Sequence, residues 1–264
     1  MTQRPIPLWQ WPNVLALDAA LIAVLWQAAL ACAIGVSLST LAYLVLGCSV
    51  WLSYTADRLF DVAHRSPSAL LSVRHRFAKR HRILLWQLWV GVLSVNLIAA
   101  TQLSGTQLGQ GSVLLLLCLL YTYLNQKFSR RYFPKELCVA LIYASGIAIL
   151  LPTTPPFTFL GLFAYLCWLN CLVIAKKEST VDARLEIYSM ASSLHARNLA
   201  PLIALGAFAA LLVGSPLGGA LVASFALLGL VQVGRKQLPT EVFRVLVDSA
   251  LLLAPAFVLA GARL

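Results

Sequence analysis

The chain has 264 residues, 60% hydrophobic and 11% charged, with a mean hydropathy of +0.84 and a formal net charge of +11. A water-soluble domain of this length is nearer half apolar and a quarter charged, and the apolar blocks here are too long for a soluble core to hide, so a soluble globular protein is excluded. Backbone groups in lipid must bond inside their own segment, and no apolar/polar alternation suggests barrel strands; the blocks are read as an all-α, polytopic membrane helix bundle.

A spanning helix needs about 20 mostly apolar residues. Nine segments qualify in chain order, at roughly 13–33, 37–57, 83–103, 109–126, 136–152, 157–175, 197–214, 217–234 and 243–262. The stretch before the first, Met1 to Pro12, carries one arginine and no small-residue cleavage pattern, so the first helix is expected to act as its own insertion signal. The loops after the first, third, fifth and seventh segments are short and uncharged. Those after the second, fourth, sixth and eighth hold the basic residues: Arg65 to Arg82, Lys127 to Lys135, Lys176 to Arg197, and Arg235 to Arg244. With Arg4 and Arg58 added, every Lys and Arg except Arg263 falls on one side. This is the positive-inside pattern, and it predicts an integral membrane protein of the cell or inner membrane with a cytoplasmic N-terminus and the C-terminus outside. The excess positive charge is thus explained by topology and the lipid bilayer, and no nucleic-acid partner is expected.

Residues 1–264 read as one transmembrane domain in which the two longest cytoplasmic loops, 62–82 and 176–196, cap a site. All six cysteines lie inside apolar blocks without zinc or disulfide spacing, and read as small packing residues. His64, His75, His81 and His195 fall in loops and read as solvated side chains.

Nine acids exist, and four form two pairs of i,i+4 spacing. Asp57 and Asp61 close the second segment; Glu178 and Asp182 follow the sixth. On a helix each pair shares one face. Two such pairs facing one cavity would offer hard oxygen ligands to Mg²⁺, which binds through a few carboxylates, waters and substrate phosphates. The plain alternative is a helix end with its acids solvated or paired to Arg58 and Arg65, and for Glu178/Asp182 an ordinary charged loop among Lys176, Lys177 and Arg184. Arg58, the Arg74–Arg82 cluster, Lys127, Arg130 and Arg131 could clamp a diphosphate, or serve only topology and anionic lipid. Asp18 and Asp248 read as buried partners of cationic side chains or as interfacial acids. Asn170 is polar within an apolar run and suits the bundle interior, while Tyr121, Tyr123 and Tyr143 suit an interface belt or a pocket wall.

Ser53-x-x-x-Asp57-Arg58-x-x-Asp61 resembles the first aspartate-rich motif of the UbiA-type intramembrane prenyltransferases, with Ser53 and Tyr54 standing where the family usually has Asn and Asp. Tyr121-Thr122-Tyr123, Lys127 and Pro134-Lys135-Glu136-Leu137 resemble the family's Tyr-rich helix end, basic loop and Lys-Glu-Leu-like helix start. Glu178-x-x-x-Asp182 stands at the second aspartate-rich motif with fewer acids than the family shows. The resemblance implies nine helices, Mg²⁺ bridging Asp57, Asp61, Glu178 and Asp182 to a prenyl diphosphate, and prenyl transfer to a hydrophobic aromatic or lipid-like acceptor. It implies Asp57 and Asp61 as catalytic residues, and Ser53, Arg58, Lys127, Arg130, Arg131, Tyr121 and Asn170 as substrate contacts. Two other readings stand beside it: a non-catalytic prenyl-lipid-binding relative, suggested by the thin second motif, and a small-solute or ion transporter, suggested by acids near the membrane.

Overall fold

The computed structural model describes residues 5–63, 65–66, 72–128, 133–180 and 188–261. Each of the nine predicted segments coincides with a long helix. A single turn, α1 (Trp11–Val14), leads into α2 (Leu17–Ala33), followed by α3 (Thr40–Ala63), a short α4 (Val73–Arg80), α5 (Arg82–Ala100), α6 (Gly105–Phe128), α7 (Lys135–Ile149), α8 (Phe157–Lys177), α9 (Leu199–Leu211), α10 (Pro216–Val233) and α11 (Thr240–Gly261). No strand occurs among the described residues.

Among the described residues five helices can cross a membrane by length and apolarity (α5, α6, α8, α10 with its 3-10 end, and α11), and α1 with α2 makes a sixth if the pair is one span. Nine crossings are therefore not established by helix length. α7 and α9, with 15 and 13 residues, fall short of the usual span, and α3 carries Asp57, Arg58 and Asp61 in its last turns.

α2 and α8 form the centre. α2 packs on α3, α7, α10 and α11, while α8 packs on α7, α9, α10 and α11. Trp26 of α2 is fully buried between them, 4.8 Å from the Phe163 ring, and its Nε1–H donates to the Leu251 carbonyl of α11 at 2.9 Å. One side chain thus joins three helices by packing and satisfies its own polar atom, as a buried tryptophan must. Lipid tails are as apolar as the helices, so association rests on close packing and small residues at the contacts. Gly206 of α9 lies so close to α10 that a Cβ there would sit 2.5 Å from the Phe225 ring. The periphery differs: the apolar window of α6 buries none of its residues, and Leu115 to Leu117 point outward.

The first helix is broken. α1 and α2 meet at 79° about Ala16, whose φ of +57° lies in the left-handed region that a residue with a Cβ avoids. A break frees backbone carbonyls that need donors at membrane depth. α3 supplies them. Arg58 donates to the carbonyls of Val14 and, at 3.1 Å, of Asn13, and Trp51 Nε1–H donates to that of Leu15 at 2.9 Å. Trp51 and Arg58 are two helical turns apart, so one face of α3 holds the whole bend.

Candidate active site

The last turns of α3 and the first of α7 bring Asp57, Asp61 and Lys135 to one end of the bundle, where a cavity of about 450 Å³ opens among α2, α3, α6, α7, α8 and α11. Asp57 and Asp61 share one face of α3 and both line it. Tyr121 and Asn125, likewise four residues apart, line it from α6, and Asn125 Nδ2 reaches Asp57 Oδ1 at 3.5 Å. Sequence reading missed Asn125; its i,i+4 relation to Tyr121 is the signal that could have found it.

Of the other expected site residues, Arg58, Asn170 and Glu178 also line the cavity, but each is engaged. Arg58 holds the α1–α2 bend, as above. Asn170 Nδ2 donates to the Val247 carbonyl at 3.3 Å. Glu178 is 4% exposed, with one oxygen 3.2 Å from Arg74 and the other paired to Arg244. Arg244, itself fully buried, also meets Glu241 at 3.0 Å, and Glu241 accepts the Val73 amide of α4 at 3.0 Å and the Gln10 side-chain amide at 3.1 Å. An ion network thus ties α8, α11, α4 and the N-terminal segment together. Ser53 is outside the cavity lining, its hydroxyl donating to the Ser49 carbonyl at 2.9 Å, and Lys127 is also outside it, over the Tyr123 ring. Asp182, Arg130 and Arg131 lie outside the described residues.

One expectation is corrected. His75, taken for a solvated loop residue, is buried in the lining, its Nδ1 2.9 Å from the Ser72 hydroxyl. Burial, then the neighbouring Arg74, Arg58 and Arg244, push its protonation well below the usual histidine range. The signal missed was that α4 forms a helix capped by Ser72, which turns one face of the basic loop inward. Asp18 and Asp248, expected beside cations or at the interface, line the cavity with Arg58 and Arg244 and also meet each other through Asn13. Its Nδ2 donates to Asp18 Oδ2 at 2.7 Å and to Asp248 Oδ2 at 3.1 Å. Tyr143 closes the inner wall, its hydroxyl donating to the Ala19 carbonyl at 2.6 Å and its ring edge-on to Tyr54.

The lining carries both signs of charge: Arg65, Arg74 and Lys135 line it with Asp57 and Asp61, and Arg58, Arg244, Asp18 and Asp248 line it too, among the rings of Tyr54, Tyr121 and Tyr143. Such a cavity can take a ligand with an anionic head bridged to carboxylates by a cation, and an apolar body beyond it. Among the described residues no group of three or more His, Cys, Asp or Glu side chains could hold a metal ion by itself.

No family model matches the chain, and no curated protein matches it. Two solved structures share its fold. A UbiA homologue from Archaeoglobus fulgidus, solved bound to GPP and Mg²⁺, aligns with 97% of this chain and 100% of its own at a TM-score of 0.66 and 13% identity. The apo structure of a UbiA homologue from Aeropyrum pernix K1 aligns with 96% of this chain and 98% of its own at a TM-score of 0.58 and 12% identity. With several helices apolar and long enough to cross a bilayer, and a helix bundle that superposes on these structures over nearly its whole length, the chain is an integral membrane protein of the UbiA-type fold.

Proposed function

We propose that the protein is a membrane prenyltransferase, moving a prenyl group from a prenyl diphosphate to a hydrophobic aromatic or lipid-like acceptor. The observation that carries this is the meeting of Asp57 and Asp61 with Arg65, Arg74 and Lys135 in one cavity at the end of a UbiA-type bundle. The donor set suits Mg²⁺ arriving with its substrate: that ion keeps waters and binds through one or two carboxylates plus phosphates rather than in an all-protein cage, which agrees with two aspartates lining the cavity and no larger acid cluster among the described residues. When bound, Mg²⁺ neutralises charge that builds on the departing diphosphate.

The chain's own residues do the rest. Asp57 and Asp61 hold the metal–diphosphate head, and Asn125 orients Asp57. Arg74, Arg65 and Lys135 face the phosphates with preorganised charge, worth more in a water-poor cavity than in solvent. Lys127, Arg130 and Arg131 are secondary contacts for the head as it enters; Ser53 and Asp182 belong to the same proposed set. Tyr121, Tyr54 and Tyr143 present ring faces to the allylic cation that C–O cleavage leaves. The basic end faces the cytoplasm, with the N-terminus there and the C-terminus outside.

The test is turnover of radiolabelled geranyl diphosphate by purified protein with Mg²⁺ and a panel of quinone precursors and lipid alcohols. Prenylated product is expected, and it disappears in D57N/D61N; full activity in that variant sinks the mechanism.

A second reading, a non-catalytic prenyl-lipid-binding relative, is favoured by one observation: both oxygens of Glu178 are committed to arginines. It predicts prenyl-lipid binding without product and without Mg²⁺ dependence. A transporter is disfavoured, because in broken membrane helices the freed carbonyls coordinate the ion, and here Arg58 and Trp51 take them.

A further inference from the structure

α4 presents two side chains to the cavity, Arg74 and His75. Arg74 holds Glu178. His75 is 5% exposed, and its one ring partner among the described residues is the Ser72 hydroxyl, 2.9 Å from Nδ1. That hydroxyl, itself buried, caps α4 by accepting the His75 amide at 3.3 Å. Its own hydrogen then has a single acceptor among the described residues, the imidazole Nδ1. The opposite tautomer would strand that hydrogen as a buried donor without an acceptor, which is costly. The neutral ring therefore carries its proton on Nε2. Nε2–H is a buried donor on a residue that lines the cavity, and no described carboxylate forms an ion pair with the ring.

The charges that act on the ring are cationic. Arg74 comes from α4, Arg58 from α3 and Arg244 from α11, and with burial they hold the ring neutral. Arg65 of α3 and Lys135 of α7 add positive charge to the same lining. The carboxylates on the surrounding elements have other partners. Glu178 of α8 and Glu241 of α11 meet arginines, Glu136 of α7 accepts the Ser189 hydroxyl, and Asp18 of α2 and Asp248 of α11 share Asn13. Asp57 and Asp61 of α3 line the cavity without a hydrogen bond to the ring among the described residues. A buried N–H donor in a cationic setting is matched by an anion. An anion of several charges also reverses the field at the ring, and a nearby opposite charge favours the protonated imidazole. The bound state then holds more protons than the unbound one, so affinity rises as pH falls.

We infer that His75 is an anion contact of the cavity, donating from Nε2 to a phosphate oxygen and taking up a proton from solvent when a diphosphate binds. The inference rests on the prenyl-transfer reading for the identity of the ligand, whereas the contact itself is defined by Ser72, the three arginines and the cavity.

The experiment titrates the full chain in lipid nanodiscs calorimetrically, with Mg²⁺ and either the unreactive geranyl S-thiolodiphosphate or inorganic pyrophosphate, at about pH 7. Each titration is run in PIPES and in Tris, whose different ionisation heats count the protons taken up. Wild type is expected to take up about half a proton or more beyond H75Q, whose amide keeps a donor near the place of Nε2 but does not titrate. H75L, which has no donor, is expected to bind both ligands about tenfold or more weakly than wild type. Equal proton uptake in wild type and H75Q, or H75L affinity within about twofold of wild type, overturns the contact. Should H75L fail to fold, the uptake in H75Q decides alone. If wild type binds pyrophosphate with uptake that depends on His75 but does not bind the thiolodiphosphate, the prenyl diphosphate reading falls and the anion contact stands. If neither ligand binds, both fall.

Discussion

The ends of α3 and α8 carry the same local signal, an acid at a helix terminus beside basic residues, and the fold uses them in opposite ways. At α3, Asp57 and Asp61 face the cavity, with Asn125 at the long end of hydrogen-bonding distance. At α8, Glu178 is buried between Arg74 and Arg244 and ties α4 to the bundle. A carboxylate already neutralised by two guanidinium groups is a poor metal ligand, because a cation must displace them. The difference teaches that acid spacing locates a helix face, and that the partners across the bundle decide whether the face binds or braces.

The comparison can be broken most forcefully at Arg244. Replacing it in R244M leaves Glu178 and Glu241 without their buried partner, and removal of one member of a buried pair costs about 3–5 kcal/mol. The expected result is a large drop in thermal unfolding temperature in detergent; wild-type stability would show that the α8 end braces nothing. Next in size is the α3 end. D57N/D61N is expected to weaken Mg²⁺-dependent binding of geranyl S-thiolodiphosphate by about 100-fold, near 3 kcal/mol, with little change in unfolding temperature. E178Q sharpens the contrast: it keeps shape, removes charge, and is expected to cost about 1–3 kcal/mol of stability while leaving that binding within about threefold. If E178Q and D57N/D61N lose the ligand equally, the two ends are one site after all.

The smallest effect concerns His75 in α4. Its folded-state protonation is depressed by burial and by Arg74, Arg58 and Arg244, while in the unfolded chain it takes up a proton near pH 6.5. Below that pH the unfolded state binds more protons, so the stability present above about pH 6.5 is lost as pH falls. H75Q is expected to flatten this slope by about 1 kcal/mol at pH 5.5, read as the difference in unfolding temperature between pH 5.5 and 7.5. An unchanged slope would place His75 in solvent.

Much of the molecule was legible one segment at a time. Apolar blocks and their flanking basic loops located every long helix, because helix formation in lipid is a local requirement of the backbone. The i,i+4 spacing of Asp57 and Asp61 located a shared face for the same local reason. Span number was less legible: α7 and α9 are shorter than their apolar blocks, since Pro and Gly near the block ends stop helices that hydropathy alone extends.

The site is where tertiary structure decided. Arg74 meets Glu178 across 104 residues, and Asn13 meets Asp248 across 235. Neither contact leaves a periodic trace, because it depends on how α2, α8 and α11 pack and on a bend at Ala16 that no motif announces. What the sequence by itself determined was an all-helical membrane bundle with a polar end and one acid-bearing helix face. Which acids line the cavity, that Glu178 is buried between two arginines, and that two distant aspartates share one amide followed only from the packed bundle, since a carboxylate's role is set by the charges within a few ångströms of it, whatever its neighbours in the chain.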